Sequence, residues 1–443
     1  MLISFSVKNF GVFKEIQTLS FEANNSQQLE DYYIVEPQKG LRLLKLMFVY
    51  GPNASGKSTL LKALDFVRKL VINPLKQKNE SIEYDPFLFD PNTPQQNAEF
   101  IVEFIPISTK IKYRYELTLN KKAVVSEKLL VYNPKPALVY SRTTNTEQQF
   151  AQISFGEKAK SSQSTQKALE VNTLWNNTVL GAFSKSNVVI AHLQNVFDWF
   201  KDYLKPIIQP QTDLTMYISN KIENKTIDPK HLIHLLKAAD FPISNLIIKT
   251  EPTDEKMMAL LKRRLSEEAI EKITSVEDLK IENTTIVFEH TTSNGTYQLP
   301  YRDESEGTKR YYQLSGLISL IVFNQSFFPI DEVESSLHPD LLLHFVNTVL
   351  TNAKHSQILM TTHYREFLQI KDLFRYDAIW FTDKKADGSA ELYSLADFDT
   401  NTIRDTSSAY NAYKIGKLGA VPDLGDYYLP IEPQKEEQNG EDK

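Results

Sequence analysis

One stretch of eight residues, Gly51–Ser58 (GPNASGKS), constrains this chain more than any other feature. It fits the pattern G-x-x-x-x-G-K-S/T of a phosphate-binding P-loop. An apolar run at 44–50 (LKLMFVY) precedes the loop, and residues 58–70 follow it with the spacing of an amphipathic helix. A buried strand, a glycine-rich loop and a helix in this order direct backbone N–H groups and a helix N-terminus at phosphate oxygens. The sequence therefore predicts that the chain binds a nucleoside triphosphate, with Lys57 reaching the β- and γ-phosphates and the Ser58 hydroxyl ligating Mg²⁺.

The C-terminal third carries an apolar strand that ends in two carboxylates, at residues 326–332 (SFFPIDE). Doubly wound sheets place ligand chemistry at the carboxyl ends of their strands. Asp331 is therefore expected to hold the Mg²⁺ shell, and Glu332 is expected to orient and deprotonate an attacking water. Two acids at the end of a strand are common in isolation, but their pairing with a P-loop favours an ATPase site.

Two further segments could contact a γ-phosphate. Ser305 and Gly307 form a Ser-x-Gly turn before an expected helix, which offers a hydroxyl, backbone N–H groups and the positive end of a helix dipole. His363 ends the apolar strand 357–362 and could donate a hydrogen bond to the same phosphate. Each signal is weak alone, because such turns are common and a strand-end histidine is more often structural.

The order of these motifs is more informative than any one of them. The P-loop at 51 is followed by the Ser-x-Gly turn at 305, the Asp-Glu pair at 331, the segment SSLHP at 335–339 and the histidine at 363. This is the order of Walker A, signature, Walker B, D-loop and switch histidine in the head of an ABC-type ATPase. The long interval between Walker A and signature leaves room for an inserted segment.

Composition excludes several classes of protein. There are no cysteines among the 443 residues, which excludes a disulfide framework, a thiolate zinc site and a cysteine nucleophile. No stretch approaches the roughly 18 apolar residues of a membrane span, and the N-terminus alternates like a strand and lacks the features of a secretory signal. We therefore expect a cytoplasmic protein with no membrane attachment. The formal net charge of −6 means that DNA binding would need a local basic patch, such as 121–122 or 262–264, although each also fits a solvated turn or helix face.

The pattern of apolar residues predicts an α/β nucleotide-binding head with a helical insertion. The similarity of the motif order to ABC-type ATPases implies that this is an ABC-type P-loop ATPase head, with a mixed or parallel sheet and an antiparallel β lobe. We expect residues 1–160 to form the N-terminal part of the head, with Walker A and the β lobe, and 161–275 to form the insertion. Residues 276–430 would form the C-terminal part, with signature, Walker B and switch histidine, and 431–443 a disordered acidic tail. Because the insertion lies between motifs that must converge, it should protrude from the head.

The chain resembles the SMC-like ABC ATPases, and within them a prokaryotic family of stand-alone ATPases related to the overcoming-lysogenization-defect proteins. Two blocks near the C-terminus are not generic ATPase motifs, and they indicate this subgroup. The similar blocks are VKNFGVFKE, GPNASGKSTL, YDPFLFD, ESEGTKRYYQL, IDEVESSLHPDLLLHFV, MTTHYREFL, YDAIWFTDKKADGSAELYSLADF and YNAYKIGKLGAVP.

The resemblance implies a role for each matching residue. Lys57, Glu332 and His363 would be catalytic, and Ser58 and Asp331 would be the Mg²⁺ ligands. The signature SEGT departs from the longer Gly-Gly-Gln form of transporter-type heads, and no clear Gln-loop precedes the insertion. ATP would contact Walker A, the signature and the D-loop through Gly51, Asn53, Gly56, Lys57, Ser58, Thr59, Ser305, Gly307 and Ser336.

The resemblance also implies that ATP is hydrolysed between two protomers, so the chain should form a homodimer at minimum and a higher assembly of dimers. Related nucleases carry a Toprim domain after the head, but only about 80 residues follow His363 here. We therefore expect a sensor or scaffold of an anti-phage defence system, acting on a separate Toprim-like nuclease and responding to a phage-encoded trigger.

The alternative is an SMC-like ATP-gated DNA clamp in repair or recombination, which leaves DNA open as a ligand. The lack of a long coiled coil and the acidic net charge count against this alternative. A transporter's nucleotide-binding subunit fits poorly, because the insertion is too large and the signature differs.

Overall fold

The computed structural model describes residues 1–252, 282–335, 337–370, 373–398, 406–422 and 425. Within these residues the chain forms sheets of seven, five, three and two strands, with helices packed against them. The mixed α/β fold expected from the sequence is thus confirmed. None of the helices described is long and apolar enough to cross a membrane.

The strands are numbered in chain order. They are β1 (Leu2–Lys8), β2 (Gln17–Ser20), β3 (Ile34–Gln38), β4 (Leu41–Leu44), β5 (Leu46–Tyr50), β6 (Ala98–Phe104), β7 (Lys112–Leu119), β8 (Val124–Tyr132), β9 (Pro136–Asn145), β10 (Phe150–Phe155), β11 (Ile243–Pro252), β12 (Glu282–Thr292), β13 (Gly295–Pro300), β14 (Phe327–Ile330), β15 (Gln357–Thr361), β16 (Ile379–Lys384) and β17 (Ala390–Ser394).

The helices are numbered in the same way. They are α1 (Glu30–Tyr33), α2 (Lys57–Ile72), α3 (Gln163–Asn172), α4 (Val179–Ser184), α5 (Ala191–Asp198), α6 (Thr215–Glu223), α7 (Pro229–Ala238), α8 (Glu306–Phe323), α9 (Pro339–Asn352) and α10 (Thr406–Lys414). A π-helix spans Trp199–Tyr203. Short 3₁₀ helices span Thr93–Gln95, Glu157–Ala159, Tyr301–Asp303, Arg365–Gln369, Tyr376–Ala378 and Leu395–Asp397.

The five-stranded sheet carries the nucleotide-binding motifs. Its order is β14-β15-β5-β16-β17, with the first four strands parallel and β17 antiparallel to β16. All five residues of β5 are buried, as expected of a strand covered on both faces. The parallel strands β5, β14 and β15 end at the same edge, so the residues that follow them meet there.

The seven-stranded antiparallel sheet is the expected β lobe. Its order is β10-β9-β8-β7-β6-β1-β2. Buried and partly exposed residues alternate along β6 and β7, which shows one face packed and one face near solvent. The two large sheets are joined near the P-loop, where the Ala390 amide donates to the Val12 carbonyl at 2.8 Å.

The first part of the expected helical insertion does not protrude from the head. Arg142 of β9 is buried and donates to the carbonyl of Asn177, at 2.6 Å, in the loop before α4. The ring of Trp199 stacks on Phe104 of β6 with centroids 4.1 Å apart. Residues 204–208 run beside β14, where the Ile208 amide donates to the Pro329 carbonyl at 2.9 Å. Residues 163–208 therefore pack as part of the head.

The section expected to be helical also contains a strand. β11 pairs with β12, and β12 with β13, in an antiparallel sheet of three strands. The sequence of β11, ISNLIIKTEP, is rich in isoleucine but does not alternate apolar and polar residues, and helix-like runs flank it on both sides. Residues 253–281, with the basic group Lys262, Arg263 and Arg264, lie outside the described residues, as do Ser336 and the tail 431–443.

Candidate functional site

The P-loop follows β5 and leads into α2 through two glycines that no other residue could replace without strain. A Cβ at Gly51 would lie 2.4 Å from the Thr382 carbonyl oxygen. Gly56 has φ +111°, a left-handed conformation that L side chains rarely adopt, and its Cβ would lie 2.9 Å from Val12. No side chain caps the N-terminus of α2, so its first backbone N–H groups are available to a phosphate.

Lys57, the first residue of α2, is only 5% exposed. Its amino group donates to the carbonyls of Gly51, at 2.9 Å, and Pro52, at 3.0 Å. Desolvation lowers the pKa of Lys57, and the nearby charges of Asp331 and two glutamates oppose that shift. The cation is thus held against the loop that is expected to surround the phosphates.

The two expected Mg²⁺ ligands are in contact. The Ser58 hydroxyl donates to Asp331 Oδ1 at 3.0 Å, although 273 residues separate them in sequence. Thr361 donates to the same carboxylate oxygen at 2.5 Å. A hydroxyl and a carboxylate at the phosphate-binding edge are the hard oxygen donors that Mg²⁺ prefers when it also binds substrate phosphates. These residues therefore fit the ion that the motif implies.

Glu332 has an unusual backbone conformation. Its φ of +45° lies in the left-handed region, which is uncommon for a residue with a side chain. Its amide donates to Thr361 Oγ1 at 2.8 Å, so one threonine hydroxyl holds both Walker B acids. The sequence analysis missed Thr361, although the polar pair that ends β15, TT before the histidine, was a signal.

His363 follows β15 and faces the same edge. Its backbone amide donates to Glu334 Oε1 at 2.6 Å. Desolvation and the charge of Lys57 lower the pKa of the imidazole, whereas Glu334, Glu332 and Asp331 oppose the shift. His363 therefore lies within electrostatic reach of the P-loop lysine and of all three acids. Glu334 is a second residue that the sequence analysis missed.

The expected signature begins α8. The Ser305 hydroxyl accepts from the Thr308 amide at 3.0 Å and so caps the helix. A Cβ at Gly307 would meet only Ser305 Oγ, at 3.7 Å, so the space around this turn is open. In the described part of the chain, no hydrogen bond joins Ser305 or Gly307 to the P-loop. The P-loop and Walker B meet within one chain, whereas among the described residues this turn has no hydrogen bond to either.

The remaining predicted residues are placed as follows. Thr59 lies on α2 and packs against Gly11. A Cβ at Gly11 would lie 2.5 Å from the methyl group of Thr59. Asn53 lines a cavity beside the P-loop. Ser336 lies outside the described residues. The roles assigned to these residues in ATP binding and hydrolysis stay predictions.

The cavity that Asn53 lines is basic. Its volume is about 1000 Å³, and it extends from the P-loop past His363 to the turn after β16 and the end of α10. Its cations are Arg365, Lys384, Lys385 and Lys414, and its acid is Asp383. We call it the basic cleft. Opposite the P-loop, the cleft is lined by residues of YDAIWFTDKKADGSAELYSLADF and YNAYKIGKLGAVP, the two C-terminal blocks that are not generic ATPase motifs.

A family model described as "AAA domain, putative AbiEii toxin, Type IV TA system" matches residues 46–368. No curated protein matches the sequence. Among solved structures, the SMC head domain from Thermotoga maritima is 14% identical with a TM-score of 0.38, and the match covers 89% of this chain and 98% of that one.

Two further structures are similar at the same level. A SmcHead bound to the C-winged helix domain of ScpA is 13% identical, with a TM-score of 0.42 and coverage of 89% of this chain and 97% of that one. A Smc head domain with an extended coiled coil, bound to the C-terminal domain of ScpA from Pyrococcus furiosus, is 13% identical. Its TM-score is 0.38, and the match covers 94% of this chain and 98% of that one.

Proposed function

The chain belongs to the family described as AAA domain, putative AbiEii toxin, Type IV TA system, and from this membership we propose that it binds and hydrolyses ATP. One observation carries the proposal: Ser58 of the P-loop donates to Asp331 of Walker B, with Lys57 held in the same loop. Two segments far apart in sequence thus meet, and together they would bind the phosphates and Mg²⁺.

In ATP hydrolysis these residues would act mostly by positioning the reactants and by stabilising charge. Lys57 and the N-terminal amides of α2 would bind the phosphates, and Ser58 and Asp331 would hold Mg²⁺. The bound ion would neutralise charge that develops on the phosphate oxygens. Glu332 would accept the proton of the attacking water, and His363 would donate a hydrogen bond to the γ-phosphate.

We further propose that the site is completed by a second copy of the chain. The N-terminus of α8 carries the expected signature, and its surface at Gly307 is open. An open helix N-terminus is suited to a phosphate, and the partner's P-loop would supply one. A homodimer is then the minimum active form, and a higher assembly of dimers would serve as the scaffold.

A mixing experiment tests the composite site. Lys57→Ala and Gly307→Arg should each be inactive alone, but a heterodimer would pair an intact P-loop with an intact signature in one of its two sites. Random mixing of equal amounts should restore roughly a quarter of wild-type turnover. The measurement is phosphate release after subunit exchange shown by mass spectrometry. Proven exchange without any recovery would mean that one chain holds a complete site.

The finer proposal is that ATP controls a partner in anti-phage defence. Sequence blocks resemble those of phage-defence ATPases, among them the ATPase subunit of the phage anti-restriction induced defence system. The ATP-bound assembly would hold a separate Toprim-type nuclease, and a phage-encoded trigger would release it. Such a trigger can shift the balance only through its different affinities for the two states.

Phage challenge tests this role. Expressed alone, the chain should be harmless and give no resistance. With the protein encoded beside it, resistance should appear and should be lost in Lys57→Ala, while that partner should co-purify with the tagged wild-type chain. Full protection by the chain alone would contradict the sensor role.

The basic cleft favours a second candidate, an ATP-gated DNA clamp. Lys384 and Lys414 line the cleft, and in the described part of the chain neither forms a salt bridge. Lysines of this kind can neutralise DNA phosphates, each adding about 0.9 to the slope of log affinity against log salt. Under the clamp function, Lys384→Glu with Lys414→Glu should weaken binding of a labelled DNA duplex and reduce that slope by about 2. If the wild type shows no salt-dependent binding of the DNA duplex, the clamp function is excluded and the sensor role is favoured.

A further inference from the structure

Glu334 lies two residues after Glu332, the second Walker B acid, and its two carboxylate oxygens differ in their hydrogen bonding. Oε1 accepts the backbone N–H of His363 at 2.6 Å. Oε2 is buried and has no hydrogen-bond partner in the described part of the chain. A buried acceptor left unpaired destabilises the folded chain, so such an atom needs an explanation beyond packing.

The surroundings of Glu334 are those of the nucleotide site. Its charge opposes the lowering of the pKa of both Lys57 and His363. Burial raises the pKa of Tyr50, the last residue of β5, and the charges of Tyr413 and Glu334 add to that shift. The Tyr50 hydroxyl is also buried without a partner in the described residues. Glu334 thus lies within electrostatic reach of Tyr50, Lys57 and His363.

Besides the bond from Thr361 to Asp331, three hydrogen bonds in the described residues join positions 332–334, in the turn after β14, to the end of β15. The Glu332 amide donates to Thr361 Oγ1 at 2.8 Å, and the Val333 amide donates to the Thr361 carbonyl at 3.2 Å. The third is the bond from the His363 amide to Glu334. Only this third bond reaches beyond Thr361 to the histidine itself, and only it depends on a glutamate side chain.

We propose that Glu334 is a positioning residue for ATP hydrolysis, which holds the backbone of His363 at a fixed place relative to the Walker B acids. The inference rests on the proposed ATPase function. Without the bond, the loop after β15 could shift independently of Glu332, and the imidazole would lose its position against the γ-phosphate. Displacements of about 1 Å from reactive geometry can cost roughly 100-fold in rate.

Two substitutions separate positioning from general damage. In full-length protein, Glu334→Ala should lower kcat by about 10- to 100-fold while KM for ATP stays within roughly threefold. Glu334→Gln keeps an oxygen that can accept from the His363 amide, so it should retain most of kcat. Glu366→Ala is the matched control, because this glutamate is exposed and, among the described residues, its one ion pair is with Arg365, at 3.7 Å.

A double-mutant cycle then tests the link to the histidine. If Glu334 acts through His363, the double variant Glu334→Ala with His363→Ala should be no slower than His363→Ala alone. Equal losses in Glu334→Ala and Glu334→Gln, or fully additive losses in the double variant, would overturn the proposal.

Hydrogen–deuterium exchange on the nucleotide-free protein gives a readout besides activity. The His363 amide should exchange faster in Glu334→Ala than in the wild type, and Glu334→Gln should keep its protection. Unchanged exchange in Glu334→Ala would contradict the proposed hydrogen-bond role. If the wild type hydrolyses no ATP, the proposed function fails, but the exchange result still decides whether Glu334 holds this loop.

Discussion

Glu332→Gln should abolish nearly all ATP turnover while leaving ATP binding intact. The change removes the group that would accept a proton from the attacking water, and general-base catalysis contributes about 10²- to 10⁴-fold. The fold should be unaffected, because the hydrogen bond that holds Glu332 in its left-handed conformation comes from its backbone amide to Thr361. The measurements are phosphate release and ATP binding by calorimetry on the same preparation.

Glu334→Gln is the matched control for this substitution, since it makes the same chemical change two residues away. We expect it to retain most of the activity. Wild-type turnover in Glu332→Gln would show that Glu332 is not the base. Loss of binding together with turnover would point instead to a structural or Mg²⁺-holding role.

Lys57→Ala should prevent ATP binding at ordinary nucleotide concentrations. A charge-assisted hydrogen bond contributes about 1.5–3 kcal/mol, and Lys57 is expected to make more than one to the phosphates. The dissociation constant should therefore rise by about 100-fold or more. Binding of a labelled ATP analogue measures this directly.

The control for that variant is Lys62→Ala, which removes an exposed lysine from the same helix and should bind ATP normally. Thermal unfolding should show both variants folded. Because Lys57 is buried among loop carbonyls, its removal should not lower stability by much, since the desolvation of its charge is relieved at the same time. Undiminished ATP binding in folded Lys57→Ala would overturn the assignment of the P-loop.

The elements around the P-loop were predictable because their signals are local. Residues 44–50 and 58–70 were expected as strand and helix, and the structure has β5 at Leu46–Tyr50 and α2 at Lys57–Ile72. The parallel pairing of β14 with β15 agrees with the mixed or parallel sheet that was expected. Apolar periodicity reports which residues are buried, and a glycine-rich motif reports a turn, so both can be read from neighbouring residues.

The packing of residues 161–275, the expected helical insertion, was harder to predict. Apolar periodicity shows that a helix face is buried but does not say which element it packs against. Residues 204–208 extend the sheet beside β14, and Arg142 bonds to carbonyls of a segment more than 30 residues away. Neither contact has a signature in the local sequence. β11 was missed because its sequence lacks the alternation of apolar and polar residues that identifies a strand, and helix-like runs flank it.

The sequence by itself determined the P-loop, the two Walker B acids and the order of the motifs, since each depends on residue types at short spacing. Only the tertiary structure decided that Thr361 holds both acids and that Glu334 holds the backbone of His363. It also decided that the C-terminal blocks build a basic cleft beside the P-loop. These arrangements depend on which strand ends lie side by side in the sheet. Strand order is set by packing between segments hundreds of residues apart, and spacing along the chain does not encode it.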